Sequence, residues 1–91
     1  MRYLASVADI GSVDASDESV IARVVAGDTA AFEVLMRRHN RRVFRATRAI
    51  LRSDEEAEDA MQEAYVSAFA HLRDFGGRSR FSTWLVRIAV Y

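Results

Sequence analysis

The sequence predicts an all-α fold, a compact bundle of about four helices. Three observations carry that expectation. The 91 residues contain no proline and only four glycines, so little interrupts long helices. Apolar residues recur at spacings of three and four rather than in alternation. Cap signals at Gly27, Asp28 and Ser53 divide the chain into helical lengths. Apolar residues make up 51% of the chain, enough for one modest core in a single small domain, with a stability of roughly 5 kcal/mol.

Residues 1–16 are small, polar and aperiodic, and read as a flexible lead-in to a domain spanning 17–91. A first helix is expected from about Asp17 to Ala26, with Val20, Ile21, Val24 and Val25 on one face. Gly27 supplies its stop and Asp28 the next N-cap. A second helix is expected from about Thr29 to Arg52. Leu35, Met36, Val43, Phe44, Ala46, Ile50 and Leu51 fall on one half of its wheel. Arg37, Arg38, Arg41, Arg42, Arg45, Arg48 and Arg52 fall on the other. Ser53 and Glu56 form a capping box for a third helix, and Asp54, Glu55 and Glu56 place negative charge at the positive end of its dipole. That helix is expected to continue to about Leu72. Ala57, Ala60, Met61, Ala64, Ala68 and Leu72 share a face whose four alanines imply close approach to a neighbouring helix. Glu58, Asp59, Gln62, Glu63 and Val66 point away from it. After a loop over 73–80, Ser79 or Ser82 is expected to cap a fourth helix. The chain stops at Tyr91 after barely two turns, amid Leu85, Val86, Ile88, Ala89 and Val90. A natural domain rarely ends in mid-helix, so the domain is expected to be truncated at its C-terminal end.

The net charge of zero conceals segregation. Residues 1–33, 34–53, 54–72 and 73–91 carry −4, +7, −6 and +3. Overall charge therefore says nothing about partners, while the blocks do. Every basic residue is arginine. The chain has no cysteine, which excludes disulfides, thiolate nucleophiles and cysteine zinc sites and fits a reducing, cytoplasmic compartment. No apolar run approaches the roughly 20 residues that cross a bilayer, so no membrane insertion is expected. Met1–Ile10, with one Arg and an early Asp9, makes a poor secretory signal. His39 and His71 stand far apart without a ligand motif, so no metal site is expected. There is no phosphate loop after a strand and no nucleophile paired with a base, so no enzyme is expected either.

The segment Arg73 to Ala89 is the most informative. A Gly76-Gly77 loop carries Arg78 and Arg80, is framed by Phe75 and Phe81, and runs into a helix bearing Trp84 and Arg87. Arginine binds phosphate, aromatic faces stack on bases, and glycine lets a base approach the backbone. This combination points to single-stranded nucleic acid. Phe75 and Phe81 read mostly as core anchors at the loop ends. Trp84 reads as core with one edge facing outward.

Three stretches now stand in order and spacing: Gly27-Asp28-x-x-Ala31-Phe32, Ala57-Glu58-Asp59-x-x-Gln62-Glu63-x-Tyr65, and Phe81-Ser82-Thr83-Trp84-Leu85-Val86-Arg87-Ile88-Ala89. Together they resemble region 2 of bacterial sigma factors of the extracytoplasmic-function (ECF) group, across about residues 17–91. The resemblance implies an all-helical domain that binds the RNA polymerase core and the minus-ten promoter element. It implies that Glu58, Asp59, Gln62 and Glu63 dock on a coiled coil of the beta-prime subunit. It implies that the loop holding Gly76, Gly77, Arg78, Ser79 and Arg80 receives a base flipped from the non-template strand. It further implies that Thr83, Trp84 and Arg87 lie against promoter DNA, with Ile88 a further candidate. No cofactor is implied. An anti-sigma protein covering these surfaces is an expected partner. Tyr91 stands where family members commonly carry Asn. The chain lacks the second domain that reads the minus-35 element and is not expected to initiate transcription alone at a full promoter.

Other readings stand beside this one. The arginine face of the second helix fits a solvated face, pairing with the acids of the third helix, or attraction of DNA or contact with another polymerase surface. The acidic face of the third helix also fits plain solvation. A helical protein-interaction module explains the charge blocks but not the Phe-Ser-Thr-Trp-Leu stretch after a Gly-Arg loop. A helix-turn-helix duplex reader needs a short turn and early base-reading residues, which neither the Gly27 nor the Ser53 junction presents.

Overall fold

A computed structural model describes residues 15–91. Residues 1–14 of the expected lead-in therefore lie outside the described residues. The elements are α1 (Asp17–Val25), α2 (Phe32–Ile50), α3 (Asp54–Ala70) and α4 (Phe81–Val90), with 3-10 turns at Thr29–Ala31 and Leu72–Asp74. The all-α class is the one the sequence predicts. The chain divides into two compact units, one through Arg38 and one from His39 onward.

In the first unit, Ser16 caps α1. Its hydroxyl oxygen accepts from the Ser19 N–H at 3.1 Å, and Asp17 and Glu18 follow in the first turn. Val20, Ile21 and Val24 are buried as the spacing predicts, whereas Val25 is only half-buried. The helix stops at a full Schellman motif: Gly27 N–H donates to Val24 and Asp28 N–H to Arg23. Gly27 takes φ 118°, the conformation that glycine adopts without penalty. Asp28 departs from expectation. Its carboxylate makes no capping bond and pairs instead with Arg23 at 3.1 Å. A 3-10 turn packed against α1 intervenes, so the second helix begins at Phe32 rather than Thr29. Ala31, Phe32, Val34 and Leu35 are buried. Arg37 pairs with Glu33 at 2.9 Å and Arg38 with Asp17 at 3.1 Å.

In the second unit, α3 packs against α4 and against the Leu72–Asp74 turn. Ala57, Ala64 and Ala68 are buried, where small side chains permit that approach. Val43 and Thr47 are the buried residues of α2 here. Ile50, expected on the apolar half, is the last residue of α2 and is 64% exposed. Thr47 was not expected in the core. Its hydroxyl lies 3.1 Å from the Val43 carbonyl and 3.0 Å from that of Phe44. Bonding back onto its own helix is how a buried threonine stays satisfied. The Ala57 carbonyl of α3 lies 3.5 Å away.

Ser53 caps α3, accepting from the Glu56 N–H at 3.1 Å, and Arg48 bridges the α2–α3 joint. Its Nε donates to Asp54 at 2.8 Å and its Nη1 to the Leu51 carbonyl at 2.9 Å. The idea that the arginine face pairs with the acids of the third helix is met at this joint by Arg48 and Asp54. No ion pair among the described residues involves Arg41, Arg42, Arg45 or Arg52. α3 ends at Ala70 rather than Leu72. Leu72 is buried in the following turn. The expected serine cap of the last helix is absent: Arg80 holds the N-cap position without a side-chain bond. Ser79 donates to the Arg80 carbonyl at 3.3 Å, and Ser82 is buried in the first turn.

Replacing a capping serine by alanine leaves an orphan N–H and costs about 1 kcal/mol. Ser53→Ala is therefore expected to lower the stability measured by urea denaturation by about that amount. Gly27→Ala is expected to cost about 1–2 kcal/mol. An added Cβ there meets no atom within 4 Å, so the loss is conformational rather than steric.

Candidate functional site

The site is built on a cluster of four rings. Phe81 begins α4 and is 1% exposed. Its ring centroid lies 5.5 Å from that of His39, 5.7 Å from Phe75 and 5.7 Å from Trp84. Phe75 and Trp84 are 5.2 Å apart. These are tilted and edge-on separations at which aromatic pairs attract beyond their buried area. Phe75 and Phe81 mark the two ends of the glycine–arginine loop, so ring packing holds both ends while the middle stays exposed.

Over the cluster lies a solvent-open cavity of about 460 Å³. Five of the sequence-predicted residues line it: Gly76, Arg78, Ser79, Trp84 and Arg87. Gly77, Arg80 and Thr83 do not. Gly77 turns the chain at φ 73°. Arg80 is the exposed N-cap, whose carbonyl accepts from Trp84 N–H at 3.1 Å. Thr83 is half-buried. Two further lining residues were not assigned to a site: Asp74 and Phe75. Phe75 is half-buried, packs on Phe81 and Trp84, and is also among the lining residues, whereas Phe81 is core as expected. Trp84 does both, touching Phe75 and Phe81 while lining the cavity.

On α3, Glu58, Asp59, Gln62 and Glu63 are all exposed. Glu58 and Gln62 border a second, shallower cavity of about 450 Å³ floored by Phe44 and Met61, with Asn40 and Arg41 opposite. Asp59 and Glu63 lie outside it. Sequence reading missed the α2 residues of this groove, because a helical wheel places residues on a face but not against another helix. Val66, expected to point outward, is 72% exposed. No helix among the described residues is long and apolar enough to cross a membrane.

The stretch from 35 to 91 matches the family model for sigma-70 region 2. The chain belongs to that family. It is similar to the ECF RNA polymerase sigma factor SigM of Mycobacterium tuberculosis, 40% identical over 88 residues that cover 97% of this chain and 45% of that protein. It is 35% identical over 74 residues to the RNA polymerase sigma-H factor of Pseudomonas aeruginosa, covering 81% and 38% of the two chains. It is 37% identical over 75 residues to the ECF RNA polymerase sigma-E factor of Escherichia coli, covering 82% and 39%. The chain thus spans less than half the length of these relatives. No solved structure matches it significantly. Family membership removes an enzymatic reading of this region 2 chain.

Tyr65, buried on α3, bonds to one residue of the second groove. Its hydroxyl donates to Asn40 Oδ1 at 2.6 Å, which orients the Asn40 amide at the groove wall. Burial pushes the phenol up from 10.0 to about 12, because the phenolate would be cut off from water. The folded state then holds the proton more tightly than the unfolded state. The associated stability is full below pH about 10 and is lost as pH rises toward about 12. Denaturation midpoints measured across that range are expected to fall. Tyr65→Phe is expected to remove the alkaline step, and to cost about 1 kcal/mol at neutral pH by leaving Asn40 one partner short.

Proposed function

We propose that this chain is the part of an ECF sigma factor, over residues 17–91, that docks on core RNA polymerase and recognises the minus-ten promoter element. It acts by capturing a flipped base of the non-template strand. The observation that carries the reading is the open cavity bounded by the Phe75 and Trp84 rings, with Arg78 and Arg87 on its walls. Stacking a base on aromatic rings contributes about 1–3 kcal/mol. Flipping it costs a few kcal/mol. The two are close enough that hydrogen bonds and phosphate contacts decide capture, and arginine is suited to the phosphates.

The loop performs this role through its uneven restraint. Its ends are held by the rings, so little order is lost on binding. Gly76 and Gly77 keep the backbone accessible to a base edge. Ser79 supplies a hydroxyl, and Arg80 and Thr83 stand at the helix entrance toward the strand. Core docking is assigned to Glu58, Asp59, Gln62 and Glu63. Carboxylates on an exposed face steer a basic partner, while the Phe44–Met61 floor provides apolar contact area. An anti-sigma protein covering both surfaces fits the same assignment, as does a cytoplasmic location.

In fluorescence anisotropy the chain is expected to bind the non-template strand of a minus-ten element more tightly than the template strand or duplex. A preference for duplex would overturn the reading. Arg87→Ala is expected to weaken all single strands alike and to flatten the plot of log affinity against log salt by about 0.7. A sequence-selective loss would instead make Arg87 a base reader. Joint replacement of Asp59 and Gln62 by alanine is expected to abolish capture by core polymerase in a pull-down while the helical circular dichroism is unchanged. Retained capture refutes the docking face.

A further inference from the structure

The cavity at the glycine–arginine loop has one acidic wall. Asp74 ends the Leu72–Asp74 turn, where its backbone N–H donates to the His71 carbonyl at 2.9 Å. It is the one acid among the residues lining the cavity, together with Phe75, Ser79, Arg78 and Arg87. No hydrogen bond or ion pair among the described residues occupies its carboxylate. An anion in a site meant for a polyanion is unfavourable unless it meets a donor there. A carboxylate accepts hydrogen bonds and donates none.

A base swung out of the stack exposes its Watson–Crick edge. Thymine presents a single N–H between two carbonyl oxygens, so a carboxylate opposite it meets acceptors on both sides. Cytosine and adenine each present one amino group next to a ring-nitrogen acceptor. Guanine alone presents N1–H and N2–H side by side, two parallel donors that match the two oxygens of one carboxylate. Its adjacent edge carries O6 and N7, the pair of acceptors that arginine contacts in bidentate fashion. The cavity supplies both complements, a carboxylate from the 3-10 turn and guanidinium groups from the loop and α4. The larger face of a purine also covers more of the Phe75 and Trp84 rings.

We propose that Asp74 selects the base captured in this cavity, favouring guanine and rejecting thymine. This rests on the reading of the cavity as a single-strand site and adds to it a specificity-determining residue. Discrimination comes from a bidentate pair that guanine alone completes, and one such pair is sufficient for a preference of about tenfold.

The test uses the 91-residue chain and two fluorescent oligothymidine probes, one of them carrying a single central guanine, read by anisotropy at fixed salt. The expected result is about tenfold tighter binding of the guanine probe. Asp74→Asn, which replaces one accepting oxygen by a donor, is expected to bring the two probes to within about twofold of each other. The exposed position of Asp74 and its backbone-only bond leave the fold intact, which unchanged circular dichroism verifies. Equal binding of both probes by the unaltered chain overturns this inference and leaves the single-strand reading standing. A guanine preference that survives Asp74→Asn overturns the role of Asp74. Failure of the folded chain to bind either probe, or a minus-ten non-template strand, overturns the single-strand reading and this inference with it.

Discussion

The packing of Phe81 against its three ring neighbours is the constraint on which the functional half of this molecule depends. Phe81 sits at the first position of α4, and its ring meets Phe75 from one end of the loop, Trp84 from the next turn, and His39 from α2. One buried side chain therefore sets where α4 starts, where the loop ends, and how far the Trp84 indole can turn. A loop with two glycines and no regular backbone bonding would otherwise sample many conformations, and ordering it on binding would consume much of the interaction energy. Clamping its ends with apolar contacts removes most of that cost and leaves the polar middle accessible.

The helices behind this cluster are joined by polar devices in place of a large core. Thr47 turns its hydroxyl onto its own helix and faces the Ala57 carbonyl. Arg48 ties the Leu51 carbonyl, just after α2, to the first acid of α3. Tyr65 reaches Asn40. Each buried polar atom is thereby satisfied, and none is left unpaired among the described residues. The alanines of α3 bring α4 close but contribute little apolar area apiece. Satisfied polar contacts of this kind each add a modest net stabilisation, about 1 kcal/mol, and more importantly define one register between helices.

Charge segregation has a physical consequence that zero net charge obscures. The acids Glu58, Asp59 and Glu63 of α3 and the arginines Arg41, Arg42 and Arg45 of α2 remain exposed, and solvent screens such charges from one another. A chain arranged in this way keeps strong local fields of both signs, suited to partners of opposite character. The proposed polymerase surface draws on the acids of α3, and the proposed nucleic-acid surface on the arginines of the loop and α4.

Periodicity and capping were legible in the residues alone. The Ser53 box, the Gly27 stop, the alanine face of α3 and the exposed acids all follow from local rules, because helix geometry relates neighbours three and four apart wherever the helix sits. Family resemblance likewise rested on contiguous motifs. What local rules did not reach were contacts between elements: the exposure of Ile50, the burial of Thr47 and Tyr65, the uncapped start at Arg80, and the entry of Asp74 and Phe75 into the cavity. Asp28 shows the same limit on a small scale, since pairing with Arg23 displaced the cap its type favours. Sequence by itself determined which segments are helical and which faces are apolar or charged. Only tertiary structure decided which of those faces meet and where a hollow remains between them, because packing depends on side chains distant in the chain whose relative placement no spacing encodes.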